Sequence, residues 1–462
     1  MAVRDFFPEK IFDQEIFELV ENRQSNTLQT IFEDLYPADI AVIIDELENT
    51  EDKIFVINLI DDKEMLLDVF EELEWDDQHE IIYNLKNKKL ISFILNEMAS
   101  DDRADFFASL EDDISNKLRE NLNPEELKDL DSLLKYGEFT AGGLMTTDYV
   151  GLKANITIEQ ALQMLREKYQ EAETINYEFV VDDTNRLQGI VSLRDIIVSE
   201  PGSFLKDIME TNTIYAHTGM DQEEVASLFI KYDLTVMAVL DVAGVLKGII
   251  TIDDILDVIE EEATEDIQRI GASLPLEESY FDTSIIELIK KRFIWLVGLL
   301  IVSAFTASVL KVYDKTLDSL IALAYFIPTI TGTGGNTGTQ SATMIIRGIA
   351  LGEIEYSDIF RVLRREFIIG LLMGLMLAVL GFVQSFITAQ VVKVSLTLAI
   401  SLVFTTMASA CIGGTLPIIA KKLKFDPAVM SGPFISTVVD VGGLIIYFET
   451  AKFIMTHVGV NI

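Results

Sequence analysis

Apolar residues follow three regimes along the chain. Between 21 and 137 they recur in short amphipathic runs, such as Ile40 to Leu47, Lys63 to Leu73 and Asp102 to Leu110, separated by acidic or polar turns. That is the 3.6-residue pattern of helices burying one stripe, and repeated helix pairs of this kind stack into a superhelical all-α domain. From about 138 to 264 the pattern changes to apolar strands alternating with helices, an α/β arrangement. Beyond 292 the apolar runs lengthen: Phe293 to Leu310, Ser319 to Ile346, Phe367 to Val392 and Val394 to Ala420 carry no charge, and a fifth runs from about Pro427 to Phe448. A bilayer core needs roughly 20 apolar residues per helix. The pattern therefore predicts a multidomain membrane protein: an N-terminal segment (1–20), an acidic helical domain (21–137), two α/β units (138–200 and 201–264), a connecting segment (265–292) and a five-span transmembrane domain (293–462).

The second long run is a poor lipid-facing helix. Its centre reads Pro328-Thr-Ile-Thr-Gly-Thr-Gly-Gly-Asn-Thr-Gly-Thr-Gln340, and four glycines with a proline predict a weakened, broken backbone. At bilayer depth such backbone is tolerated only where it lines a cavity or is buried in protein. Gly413 to Pro417 is expected to break the fourth span similarly. In the last span Asp440 stands alone between Gly432-Pro433 and Gly442-Gly443, where a carboxylate costs about 2.5 to 3.5 kcal/mol on insertion scales and so calls for a partner or a wet path.

Hard divalent cations take oxygen ligands, and magnesium keeps much of its water. Asp440, carbonyls of the Gly332, Gly334 and Gly335 region, and the polar Asn336, Thr337 and Gln340 fit that chemistry. A two-fold dimer would bring two copies of Asp440 together. Gly334-xxx-Gly338 and Gly370-xxx-Gly374 also match small-residue helix contacts, a packing reading that suits the second pair better than the first. No Lys follows the glycines as a phosphate-cradling loop requires.

Charge separates the two halves. Of 36 Lys+Arg and 75 Asp+Glu, residues 291–462 hold 13 and 9, leaving 23 and 66 to residues 1–290. So acidic a soluble part repels nucleic acid and invites multivalent cations. One cysteine and three histidines build neither a disulfide framework nor a Cys/His metal cluster. Asp5, Glu9 and Asp13 rule out a signal or transit peptide, so the N-terminus is expected in the cytoplasm. Lys290, Lys291, Arg292, Arg347, Arg361, Arg364, Arg365, Lys421, Lys422 and Lys424 then fall at inner ends, against Lys311, Lys315, Lys393 and Lys452 at outer ends. This agrees with the positive-inside rule and places the C-terminus outside. Enzyme readings find no support, since there is no His-Glu-x-x-His element and no recognisable Ser, His and Asp constellation.

The α/β region repeats itself. Phe179-Val-Val-Asp182 with Leu187 to Asp195 recurs as Ala238-Val-Leu-Asp241 with Leu246 to Asp254, each position displaced by 59. This resembles a tandem pair of CBS domains. In such pairs the Ser/Thr and Asp can hold the ribose of an adenine nucleotide such as ATP, which implicates Ser192 with Asp195 and Thr251 with Asp254; read from the residues alone they are helix N-caps. The helix after the second repeat carries Asp253, Asp254, Asp257, Glu260, Glu261, Glu262, Glu265 and Asp266. Like charges three and four apart disfavour it unless cations neutralise them, and a solvated acidic helix is the plainer reading.

Leu35-Tyr-Pro-Ala-Asp-Ile-Ala41, Thr140-Ala-Gly-Gly-Leu-Met-Thr146, Ala263-Thr-Glu-Asp-Ile267, Gly332-Thr-Gly-Gly-Asn-Thr-Gly338 and the stretch from Asp426-Pro to Asp440 together resemble the bacterial MgtE magnesium channel/transporter family, shared with the solute carrier 41 proteins. The resemblance implies a homodimer in the bacterial inner membrane, with Asp440 of both chains at the central Mg2+ site and a connecting, or plug, helix from about Ile267 to Lys290. It also implies regulatory Mg2+ ligands at Asp221, Glu223, Asp254, Glu262, Glu265, Asp266 and Asp426. Gly442 departs from the Thr expected in the family's run after the aspartate. A nucleotide-sensing membrane receptor, or a transporter of another ion, is the alternative.

Overall fold

The computed structural model describes residues 9–169, 172–276, 280, 283–319, 321–430 and 432–457. Two units divide the chain, Met1–Val258 and Ile259–Ile462.

In the first unit, ten short helices, α1 to α10, lie between Glu9 and Leu133. The amphipathic pattern is realised directly: Ile40, Ile44, Val56, Phe70, Ile81, Ile94 and Phe106 are buried. Polar turns start several of the helices. Asp62 accepts hydrogen bonds from the backbone N–H groups of Glu64 and Met65, and Asn87 from those of Lys89 and Leu90, caps worth about 1 kcal/mol each. Among the described residues two cations are buried between these helices. Arg103, 2% exposed, pairs with Glu126 and donates to the Met98 carbonyl at 3.0 Å, and Lys53 pairs with Asp77.

The α/β region follows as two three-stranded sheets. Their strands are β1 (Gly151–Lys153), β2 (Tyr177–Val181) and β3 (Leu187–Ser192), then β4 (Tyr215–His217), β5 (Val236–Leu240) and β6 (Leu246–Thr251). Each is ordered as numbered, with a parallel first pair and an antiparallel second pair. The 59-residue displacement holds rung by rung between the hairpins β2–β3 and β5–β6. Tyr177 pairs Ser192 as Val236 pairs Thr251, and an irregularity falls between Val180 and Val181 as between Val239 and Leu240. Helices α11 (Ile158–Lys168) and α12 (Leu193–Val198) serve the first repeat, and α13 (Gln222–Tyr232) the second. Phe179 and Val181 from one sheet pack with Val236, Ala238, Leu240 and Ile249 from the other. The repeat has one telling departure: Glu178, 1% exposed, stands where the second repeat buries Met237.

Helix α14 (Ile252–Ile270) contains the division point between the units. It ends in a left-handed turn: Ala272 has φ 58°, and the Ser273 N–H returns to the Gln268 carbonyl at 3.0 Å. Pro275 follows, and α15 (Ile285–Val312) starts anew where Ser284 caps Glu287. The connecting helix expected over about 267–290 is therefore not one helix, because glycine, a left-handed residue and proline interrupt it.

The second unit is helical: α15, the short α16 (Asp314–Ser319), α17 (Ile327–Ala350), α18 (Ile359–Ala389), α19 (Val392–Lys422) and α20 (Gly432–His457). Among the described residues four segments, Ile285–Val312, Tyr356–Ala389, Val392–Lys422 and Gly432–His457, are long and apolar enough to cross a membrane. α17 is long enough but is not among them. The broken second span expected from its glycines does not occur, since α17 is continuous through Gly332 to Gly338, with Pro328 in the first turn where no N–H is missed. α19 likewise runs through Gly413 to Pro417. Propensity is overridden by packing, for the glycines admit neighbouring helices rather than breaking their own. Gly370 and Gly374 bring α18 against α19 as their spacing predicts: a Cβ on Gly370 would lie 2.7 Å from the Met407 Cα.

Candidate functional site

α17 and α20 run antiparallel, and small residues set their spacing. Gly443 approaches Ile330, Gly334 approaches Val439, Gly335 approaches Ser436 and Gly432 approaches Thr339. A Cβ on Gly335 would sit 2.8 Å from the Ser436 Oγ, and one on Gly338 2.9 Å from the Ile435 Cγ2. From α19, a Cβ on Gly413 would come within 2.1 Å of the Gly338 carbonyl oxygen. Gly334, Gly335 and Gly338 are thus helix contacts, which corrects the weighting of the first glycine pair toward a site. With the helix continuous, carbonyls of 332–338 are engaged in its ladder rather than turned toward an ion. Thr337 is buried and donates to the Thr333 carbonyl at 2.8 Å. Gly332, Asn336 and Gln340 remain exposed, four residues apart and so along one face.

Asp440 is half-buried on α20, between Ser436 and Gly443, whose contacts place it level with residues 331–335 of α17. Nothing lies within 4 Å of where a Cβ on Gly442 or Gly332 would be. The Gly442 departure therefore leaves open space at position 442, about 200° around the helix from Asp440.

Nearby in the same unit, the end of α14 meets the α19–α20 connection. Arg269 pairs with Glu265, one turn earlier, and with Asp426. Asp426 also accepts from the Ala428 N–H at 2.7 Å. Burial, then the charges of Asp426 and Glu262, push the Asp266 carboxyl up to about 6, with Arg347 opposing. Two expected regulatory ligands, Glu265 and Asp426, are thereby joined by a guanidinium that the sequence reading passed over, and the charges of Asp426 and Glu262 act on another, Asp266. The signal of that guanidinium was the i,i+4 spacing from Glu265.

In the first unit the candidates are dispersed. Asp221 caps α13, accepting from the Glu223 N–H at 3.0 Å, and Glu223 is exposed. The Ser192 hydroxyl donates to Asp195 at 2.6 Å and accepts from its N–H at 3.1 Å, the N-cap of α12. Thr251 donates to Asp254 at 2.6 Å. Asp254 belongs to a larger acidic group that sequence reading missed, with Glu71, Asp101, Asp102 and Glu173. Burial first, then mutual repulsion, pushes Asp102 up to about 8 and Glu173 to about 7; burial also carries Glu71 to about 7 and raises Asp101 and Asp254. One Asp101 oxygen is buried without a hydrogen-bond partner among the described residues. The Asp101-Asp102 doublet opens helix α8 (Ser100–Ala108), where acids read as ordinary helix-start residues. Among the described residues no three His, Cys, Asp or Glu side chains are disposed to hold a metal by themselves.

Comparison with known proteins covers most of the chain. Residues 327–450 match the family model MgtE, divalent cation transporter; 14–138 match the MgtE intracellular N domain; 141–200 and 205–261 match CBS domains. The magnesium transporter MgtE of Thermus thermophilus is 36% identical over 96% of this chain and 98% of its own length. That of Bacillus subtilis is 33% identical over 94% and 96%. A crystal structure of the cytosolic domain of the Mg2+ channel MgtE in complex with ATP superposes with a TM-score of 0.51 at 36% identity, covering 53% of this chain and 99% of that one.

Proposed function

The chain belongs to the MgtE family of magnesium transporters, and we propose that Asp440 is the cation site of its transport path. One observation carries this reading: a half-buried carboxylate, without a hydrogen bond or ion pair among the described residues, lies level with the α17 segment that presents Gly332, Asn336 and Gln340. A carboxylate inside a span is costly unless it meets a partner or water, and Mg2+ with its retained water supplies both. α17 is then the fifth span, less apolar than the other four because it lines the path. A second copy across a two-fold axis covers its polar face and adds the second Asp440. With the N-terminus in the cytoplasm and the C-terminus outside, an inside-negative potential drives a divalent ion inward by about 4.6 kcal/mol per 100 mV.

Regulation follows from the acidic groups. Cytosolic Mg2+ neutralises Glu262, Glu265, Asp266 and Asp426 in the second unit, and Asp254, with its newly found neighbours, in the first; Asp221 and Glu223 remain further candidates. High internal Mg2+ compacts these surfaces and closes the path, and low Mg2+ lets their charges separate. Ser192, Asp195, Thr251 and Asp254 hold an adenine nucleotide, a reading supported by the solved relative, whose cytosolic domain is in complex with ATP.

The test is Mg2+ uptake into liposomes by wild type and Asp440→Ala, with internal Mg2+ recorded throughout. Uptake lost in the variant, and self-limiting in wild type, supports site and feedback together. Equal uptake by both removes Asp440 from the path.

A further inference from the structure

Glu366 is a second carboxylate within the helical bundle, and the path described above does not use it. It lies on α18 and is 8% exposed, although Arg364 and Arg365 beside it are exposed and Arg361 pairs with Asp358 instead. Its carboxylate accepts a hydrogen bond from the Ser341 hydroxyl of α17 at 2.7 Å. Its Cγ lies 2.7 Å from where a Cβ on Gly414 of α19 would be. One side chain thus joins three helices. A buried carboxyl group with a single hydrogen-bond donor is expensive, and an apolar residue of similar size packs there more cheaply. Helix stability alone does not account for it.

α17 needs an external reference. Glycine and β-branched threonine dominate its centre and weaken its helix propensity, so neighbours rather than its own sequence determine where its polar face points. Among the described residues two side-chain hydrogen bonds tie it to other helices: Ser341 to Glu366, and the Thr339 hydroxyl to the Gly432 carbonyl of α20 at 3.3 Å. Ser341 lies roughly 140° around the helix from Asn336. Its bond therefore holds α17 from behind while Asn336 and Gln340 face the open side.

We propose that Glu366 is a positioning residue for transport: through Ser341 it sets the rotation and height of α17, and hence the placing of Asn336 and Gln340 relative to Asp440. The inference rests on the reading of Asp440 and α17 as the cation path.

The experiment measures maximal uptake, half-saturating Mg2+ and preference among Mg2+, Ca2+ and Co2+ for the full-length protein in liposomes. Glu366→Gln keeps an acceptor and is expected within about twofold of wild type. Glu366→Leu and Ser341→Ala each lower maximal uptake about tenfold and alter cation preference, and the double variant is no worse than the poorer single. If Asp440→Ala transports like wild type, the path reading fails. If Asp440→Ala is inactive while Ser341→Ala and Glu366→Leu keep wild-type rate, half-saturation and preference, the positioning role alone fails. Should Glu366→Leu not fold, Ser341→Ala decides, and unchanged transport by that variant overturns the proposal.

Discussion

Replacing Glu178 with methionine, the residue the second repeat buries at the same rung, is expected to stabilise the first α/β repeat in a strongly pH-dependent way. Glu178 is 1% exposed, one of its oxygens has no hydrogen-bond partner among the described residues, and burial pushes its carboxyl up to about 8 from an ordinary 4.5. The unfolded chain releases this proton near 4.5 and the folded chain only near 8. Between those values the unfolded state binds fewer protons, so stability falls as pH rises; the penalty is absent below 4.5 and complete above 8. At pH 7 the lost free energy is about 3 kcal/mol, and at pH 5.5 about 1 kcal/mol. Hydrogen exchange of the β2 and β3 amides in the full-length protein, corrected for intrinsic rates at each pH, reads the difference. Glu178→Met is expected to slow exchange on the order of 100-fold at pH 7 and clearly less at pH 5.5. Met237→Glu is expected to reproduce the penalty in the second repeat. A gain that is equal at both pH values, or absent at pH 7, refutes the reasoning.

Mg2+ binding to the group around Asp254 must displace protons from Asp102, Glu71 and Glu173, whose carboxyls are pushed up to about 8, 7 and 7; affinity therefore rises from pH 6 to pH 8. Calorimetry in buffers of different ionisation enthalpy checks it, and binding without proton release sinks it. Gly413→Ala places a Cβ 2.1 Å from the Gly338 oxygen and is expected to abolish folded, monodisperse protein, whereas Gly332→Ala meets open space and is expected to fold normally. Size-exclusion profiles in detergent that are alike for the two variants contradict this.

The legible parts of the sequence were those where one period or one displacement carried the structure. The 59-residue repeat became two hairpins of the same register, and the amphipathic runs of 21–137 became short helices with buried stripes. Gly332 to Gly338 misled because composition shows low propensity but not neighbours. At Gly334, Gly335 and Gly338, though not at Gly332, Val439, Ser436 and Ile435 stand where Cβ atoms would be, so three residues that weaken a lone helix cement a packed one. The acidic group of Glu71, Asp101, Asp102 and Glu173 with Asp254 was invisible for a related reason: its members are scattered over 184 positions, and only tertiary packing collects them. Glu366 escaped notice because it sits beside Arg364 and Arg365 at the edge of an apolar run, where a charged residue ordinarily faces water.

The corner around Arg269 brings the acidic helix and the transport helices into one argument. Glu262, Glu265, Asp266 and Asp426 outnumber the two guanidiniums that act there, Arg269 and Arg347, so full ionisation leaves an excess of about two negative charges. Two like charges 4 Å apart cost about 1 kcal/mol in water and about 4 kcal/mol at the effective dielectric of a protein surface. Burial first, and that repulsion after it, raise Asp266 to about 6. A proton relieves only one carboxylate, whereas one divalent cation balances the whole excess. Relief also acts on a structural element and not merely on solvent. Ile270, adjacent to Arg269, packs against the cluster of Ala342, Ile346, Ala428, Ile435 and Val439. Val439 precedes Asp440 and touches Gly334 and Gly338 of α17. Any change in the setting of the α14 end is therefore delivered, through packed side chains, to the helix pair that flanks the carboxylate.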